Sequence, residues 1–239
     1  MDKQAIERHN QAQREYYSRN VRSTIAPGAT PYVERHVDEA LRFGGIRPSS
    51  HVLDVGCGMG RHAFLLAARG LRVEGLELSP HLVERMRAQD PFGIPVHCAD
   101  MSEPPSSLEG RFDAVVGFFV LHHVPDLTAA FRGVARVLRP GGKTVFVEPN
   151  PYNALYYAQI AVTPGMLWSA EKGLTRMRLS PMFAAMADAG LIRPALRRFG
   201  FFPPFLRNRP WGGKVEAVFE RIPLLGPVLP FQLFRAEKP

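Results

Sequence analysis

The stretch Val52-Leu53-Asp54-Val55-Gly56-Cys57-Gly58-Met59-Gly60 sets three glycines in five positions behind an apolar run that carries one acid. Glycines in a first strand-to-helix turn let a ligand lie directly against the backbone. The helix that follows, from about Arg61, offers free N–H groups to an anionic group. Twenty-one residues after Gly56 stands Glu77, at the end of the next apolar run. A carboxylate at that distance can take both hydroxyls of a ribose. The expected ligand therefore carries an adenosine or a similar nucleoside. Two details separate it from a dinucleotide. The spacing is G-x-G-x-G and not G-x-G-x-x-G, and Asp54, two residues ahead of the first glycine, would repel a pyrophosphate. An acid there suits a ligand with an ammonium or sulfonium group.

These residues need a scaffold. From residue 51 onward short apolar runs alternate with helix-length amphipathic ones. Strands are expected at 51–56, 71–78, 94–100, 112–122 and 143–149, with helices between them. Ser79 and Pro80 mark one helix start, and Pro140 with two glycines marks one helix stop. The fourth run, Phe112 to His122, is apolar on both faces, as a central parallel strand is. The alternation predicts an α/β fold with a parallel sheet and right-handed crossovers. Ahead of it lie a polar helix over 3–20 with Tyr16-Tyr17 near its end, and a helix over 32–43 stopped by Gly44-Gly45. After Pro149 the rhythm fails. Residues 150–179 read as one or two helices lying over the sheet, 180–191 as a helix capped by Ser180, and 192–202 with 227–238 as a final strand pair.

Several segments together resemble the class I S-adenosylmethionine-dependent methyltransferases. "VLDVGCGMG" is similar to their first motif, "GLELSP" to the acidic end of their second strand, and "HCADM" to the segment that meets adenine. "FDAVVGFFVLHHV" and "VLRPGGKTVFVEP" resemble their later motifs. The resemblance covers residues 48–150, in order and in spacing. It implies a Rossmann-like methyltransferase fold with a mostly parallel seven-stranded sheet and S-adenosylmethionine as cofactor; no metal site is expected, because no Cys/His cluster has metal spacing. It further implies that Gly56, Cys57, Gly58 and Gly60 line the methionine end, with Asp54 close to its amino group. Glu77 would take the ribose hydroxyls, with Leu78 beside the adenine. Asp100 would accept from the adenine amino group, Met101 would pack on the ring, and Phe118 would border the methionine. Tyr16 and Tyr17 match the place of a helical lid. Simpler roles also fit: Asp54 as a loop cap, Met101 as core, Tyr16 and Tyr17 as helix packing.

For a hydroxyl or amine acceptor a proton must leave, and the candidates to take it are His123 and Glu148, with His122 beside them. His123 equally suits a fixed structural role. The acceptor reads as small and apolar, because Tyr152, Tyr156, Tyr157, Met166 and Trp168 can roof a hydrophobic pocket. An Asn/Asp-Pro-Pro-aromatic tetrad is missing after the fourth strand, which disfavours a nucleic-acid acceptor despite a net charge of +8. A nucleic-acid or protein methyltransferase, or a non-catalytic cofactor-binding protein, are the alternatives.

The charge is concentrated: residues 172–214 carry nine basic residues and one acid, Asp188. With the phenylalanines, Trp211 and apolar turn of 193–231, this edge suits either peripheral membrane contact or burial within the domain or a dimer. The two cysteines, Cys57 and Cys98, lack metal spacing, and the N-terminus lacks the apolar core of a signal peptide, so a cytoplasmic location is expected. The expected organisation is a lid over 1–47, a cofactor-binding core over 48–150, and a cap with the closing strand pair over 151–239.

Overall fold

The computed structural model describes residues 3–19, 26–154, 156–157 and 172–239. Met166, Trp168 and most of the segment expected as helices over the sheet lie outside the described residues. Seven strands form one sheet: β1 (His51–Val55), β2 (Arg72–Glu77), β3 (Val96–Cys98), β4 (Phe112–Phe118), β5 (Leu138–Pro149), β6 (Ile192–Phe199) and β7 (Phe231–Glu237). Their order is β3-β2-β1-β4-β5-β7-β6. The five strands from β3 to β5 run parallel, and β7 enters antiparallel between β5 and β6. Strand order reverses between β1 and β4, which opens a crevice at their carboxyl ends.

Helices cover both faces. On one side lie α2 (Pro31–Gly44), α3 (Arg61–Ala67) and α4 (Pro80–Gln89), whose Val37, Ala63 and Met86 share a core with Val52, Val116 and Val145 of the sheet. On the other lie α5 (Leu127–Val137) and α6 (Leu179–Asp188), whose Phe131 and Met186 pack on Leu53, Val115 and Phe146. Parallel central strands buried on both faces are mainly apolar, as are Val52, Leu53 and Val55 of β1 and Ala114 to Val116 of β4, with Asp54 the buried exception. The helix starts are set locally. Thr30, Ser79 and Asp126 each accept the backbone N–H three residues on, and Pro31 and Pro80 occupy first positions. The last two α-helices among the described residues, α7 (Pro204–Arg207) and α8 (Gly212–Phe219), lie between β6 and β7 in the chain. α1 (Lys3–Arg19) crosses the carboxyl ends of the strands beside α4.

Two local expectations are corrected. Helix α6 starts at Leu179 and its N-cap is Arg178, so Ser180 falls inside the first turn and makes no cap bond. Strand β5 begins at Leu138, five residues ahead of Lys143, because the fully buried Leu138 pairs with Phe112 across an irregular register. No helix among the described residues is long and apolar enough to cross a membrane.

Candidate active site

The glycine turn hangs on the tip of β2. The amides of Gly56 and Cys57 donate to the Leu76 carbonyl at 2.7 and 3.3 Å. Glu77 completes the tie: Oε2 accepts the Gly58 amide and Oε1 the Ser79 amide, both at 2.9 Å. Gly56, Gly58 and Gly60 all have left-handed backbones, so glycine is favoured at each. Their reasons differ, however. A side chain at Gly56 would overlap Val120, and one at Gly60 would press Phe64, whereas Gly58 faces open space.

Beneath the turn lies Asp54, 1% exposed. Among the described residues its Oδ2 has no hydrogen-bond partner. Burial raises its pKa well above the ordinary carboxylate range, and the charge of Glu77 adds to the rise. Glu77 is raised as well, chiefly by burial, against the opposing pull of the amides that it accepts. Two buried acids, Glu77 in the cavity wall and Asp54 under the turn, thus lie together with no cation opposing either among the described residues. An unsatisfied buried polar atom costs about 1–3 kcal/mol, and more when charged. A ligand bearing an ammonium and a sulfonium, lying across Gly58, answers both features. The residues present therefore fit S-adenosylmethionine.

A cavity of about 1190 Å³ opens over this turn. That exceeds the roughly 300–1,000 Å³ of a typical small-molecule site, and leaves room for a second ligand beside a nucleoside. Leu78, Asp100, Met101 and Phe118 line it next to Gly56, Cys57, Gly58 and Glu77. Asp100 is held by Ser102, whose amide and hydroxyl both donate to Oδ1 at 2.8 Å, while Asn10 of α1 donates to Oδ2 at 2.5 Å. Tyr16 and Tyr17 line the same space. Tyr17 Oη lies 3.4 Å from His123 Nε2, and His9 Nε2 meets the His123 carbonyl at 2.7 Å. α1 is thereby joined to both the loop after β3 that carries Asp100 and the loop after β4.

Three expected residues stand apart from the wall. Asp54 lies under the turn, and Gly60 is turned into the start of α3, where its backbone conformation and Phe64 require glycine. Glu148 is fully buried behind the wall. Its Oε1 accepts the amides of Val120 and Leu121 at 3.0 and 2.7 Å, and its Oε2 meets His122 Nδ1 at 2.6 Å. The carboxylate is consumed in shaping the loop after β4, so the reading of Glu148 as a proton acceptor is corrected. The tyrosine roof is reached by Tyr156 alone of Tyr152, Tyr156 and Tyr157, since only it lines the cavity.

Residues 53–146 match the family model described as methyltransferase domain. They carry β1 to β5, the glycine turn and Glu77. Residues 53–146 are a methyltransferase domain. Across this domain the chain is similar to the ubiquinone biosynthesis O-methyltransferase of Xanthomonas oryzae pv. oryzae, at 36% identity over 111 residues, 45% of each protein. The chain thus aligns with about half the length of such relatives. It is 27% identical over 186 residues to the enzyme of the same name from Chromobacterium violaceum, covering 75% of this chain and 77% of that one. Among solved structures, a SAM-dependent methyltransferase from Archaeoglobus fulgidus superposes with a TM-score of 0.61 at 15% identity, covering 88% of this chain and 95% of that one. The likeness of fold thus extends over more of the chain than the matched residues.

Sequence reasoning missed part of the cavity wall. Tyr32 and His36 of α2, Arg61 and His62 of α3, Phe119 and Phe231 line it. His36 had a signal: it falls in the apolar stripe of α2 with Val33, Val37 and Ala40, where a polar ring is out of place. Phe119 adopts a left-handed backbone, with φ +57°, a conformation that costs a non-glycine residue roughly 1–2 kcal/mol. The Val147 carbonyl takes its amide at 2.8 Å and holds it there.

Proposed function

We propose that this chain transfers the methyl group of S-adenosylmethionine to an oxygen of a small apolar molecule. The observation that carries the proposal is the pair of buried, unopposed carboxylates, Asp54 and Glu77, under a glycine turn that is open at Gly58. When bound, S-adenosylmethionine supplies a methyl already activated by positive sulfur. The chain's residues hold and align. Glu77 serves the ribose, Asp100 the adenine amino group, Leu78 and Met101 the ring, and Phe118 the methionine border. Alignment alone supplies roughly 7–11 kcal/mol in favourable cases, so a strong base is not required. His123, joined to Tyr17 and His9, serves to close α1 over the cavity. The O-methyltransferase relatives support an oxygen acceptor, and the aromatic lining of the cavity, with Tyr32, Phe119, Phe202 and Phe231, supports an apolar one. Transfer of labelled methyl into phenolic, lipid and RNA extracts tests this. Label in an ether of an apolar compound supports it, and label confined to RNA or protein sinks it.

The finer reading is that acceptor entry occurs at a membrane surface. Val215 and Val218 of α8, with Trp211 just before it and Ile222 just after, are all exposed, while Glu216 on the opposite side is buried. Arg209, Lys214 and Arg221 are exposed beside them. An apolar helical stripe rimmed by bases is the pattern of an interfacial helix. The preceding segment, Phe201 to Phe205, lines the cavity. The nucleic-acid reading is weakened, because Arg193, Arg197 and Arg207 are turned to Glu237, Glu39 and Glu216. Cosedimentation with anionic but not neutral vesicles, lost in Val218→Asp, is the expected result; equal recovery with both would remove the electrostatic part.

A further inference from the structure

Among the described side chains of α1, Asn10 alone is buried, at 5% exposure. A helix docked by an apolar face buries aliphatic side chains; this one buries an amide. Asn10 lines the cavity with Ile6, His9, Gln13 and Tyr17, which recur at helical spacing on one side of α1. Its Nδ2 donates to Asp100 Oδ2 at 2.5 Å. The other oxygen of Asp100 is committed as well, since Oδ1 takes the Ser102 amide and hydroxyl, both at 2.8 Å. A carboxylate offers about four lone-pair directions. Ser102 fills two and Asn10 one, so one is left on Oδ2, and Asp100 lines the cavity. With a donor on each oxygen, the carboxylate cannot turn about its axis without breaking a hydrogen bond.

We propose that Asn10 is a positioning residue for reading the base: its amide pins the Asp100 carboxylate so that one acceptor direction meets the exocyclic amino group of the nucleoside. This rests on the reading of Asp100 as the adenine partner. A carboxylate accepts and cannot donate, so in this fixed pose it takes an amino N–H and repels the carbonyl oxygen that hypoxanthine carries at the same ring position. Released from Asn10, the carboxylate can turn and accept the ring N–H of hypoxanthine instead. Asn10 thus sets base selectivity and ties it to α1, because the bond that seats the helix over the cavity also holds the group that reads the base.

The probes are S-adenosylhomocysteine and S-inosylhomocysteine, titrated calorimetrically into the full chain. A site built to hydrogen-bond an N–H rejects the analogue that lacks it, so wild type should prefer the adenosyl compound by about a hundredfold or more. Asp100→Ala should abolish the preference. Asn10→Ala should cut it by about tenfold, and Asn10→Gln, which keeps an amide donor, should restore part of it. His9→Ala removes a different tie of α1, the one to the His123 carbonyl; it should weaken both compounds alike and leave the preference intact. Equal weakening of both compounds in Asn10→Ala, with the preference kept, would make Asn10 a docking residue for α1 alone and overturn the proposal. No preference in wild type, or a preference that survives Asp100→Ala, would instead overturn the adenine assignment of Asp100 beneath it.

Discussion

Glu77 Oε2 accepts the Gly58 amide at 2.9 Å, so the carboxylate at the tip of β2 holds the glycine turn that follows β1. One side chain thus shapes the turn and presents the acid that the ligand meets. Glu77→Gln keeps an acceptor for the turn and loses the charge; Glu77→Ala loses both. Hydrogen bonds to charged groups contribute about 1.5–3 kcal/mol. Calorimetric titration with S-adenosylhomocysteine should show roughly tenfold to a hundredfold weaker binding in Glu77→Gln and a further loss in Glu77→Ala. Wild-type affinity in both would remove Glu77 from the site.

The raised pKa values of Asp54 and Glu77 set the pH behaviour of cofactor binding. Without ligand the native state keeps protons that the unfolded chain has released, so these two groups destabilise the fold as pH rises from the ordinary carboxylate range toward their raised values. A bound cation favours the ionised forms. The rise in Tm given by S-adenosylmethionine should therefore grow with pH through that window and shrink below it. Asp54→Asn should flatten the growth. The ligand-induced increment is the proper readout, because Glu74, lowered by its hydrogen bonds to His97 and His51 and by Arg111, contributes to the bare Tm with the opposite sign.

Glu148 is predicted to matter for the fold. Leaving buried hydrogen-bonding groups without their partner costs about 1–3 kcal/mol each. Urea unfolding of Glu148→Ala should lose stability on that scale, and Glu148→Gln less, because the amide oxygen still accepts from Val120 and Leu121. A Glu148→Ala protein of wild-type stability that had lost only turnover would restore the proton-acceptor role.

His36 should make the protein acid-sensitive. Burial, with Arg61 and Arg35 nearby, lowers its pKa from the ordinary 6.5 to about 3. Between those values the unfolded chain binds the proton and the native state does not, so stability is intact above 6.5 and is lost as pH falls through the window. The slope expected from this group is at most about 1.4 kcal/mol per pH unit. His62, which is also lowered and touches the same space, adds to it. Chemical denaturation across the window should be less steep in His36→Leu than in wild type. Identical slopes would mean that His36 is protonated in the native state.

The sequence made some of this legible and concealed the rest, for physical reasons. Short buried apolar runs, Val52-Leu53 in β1 and Ala114-Val115-Val116 in β4, stand out, and a glycine turn with two spaced acids is a local pattern. The strand pair β6 and β7 could be read from residues such as Leu196, Phe199, Leu233 and Phe234. Glu148 misled because a carboxylate at a strand end looks alike whether it faces a cavity or the backbone of the next loop. His36 was absorbed into a helix stripe whose spacing it satisfies. Arg35, which bonds Glu216 and Glu220 and so seats α8 against α2, joins positions more than 180 residues apart. Such a pairing leaves no trace in local periodicity.

The most direct test of the central claim is a competitive titration followed by crystallography of the complex. The purified chain should bind S-adenosylhomocysteine, and NADH should not displace it. The bound nucleoside should lie between the tips of β1 and β2, with its ribose on Glu77 and its adenine beside Asp100. Binding of the nicotinamide nucleotide instead, or density for the nucleoside away from Glu77 and Gly58, would contradict the account.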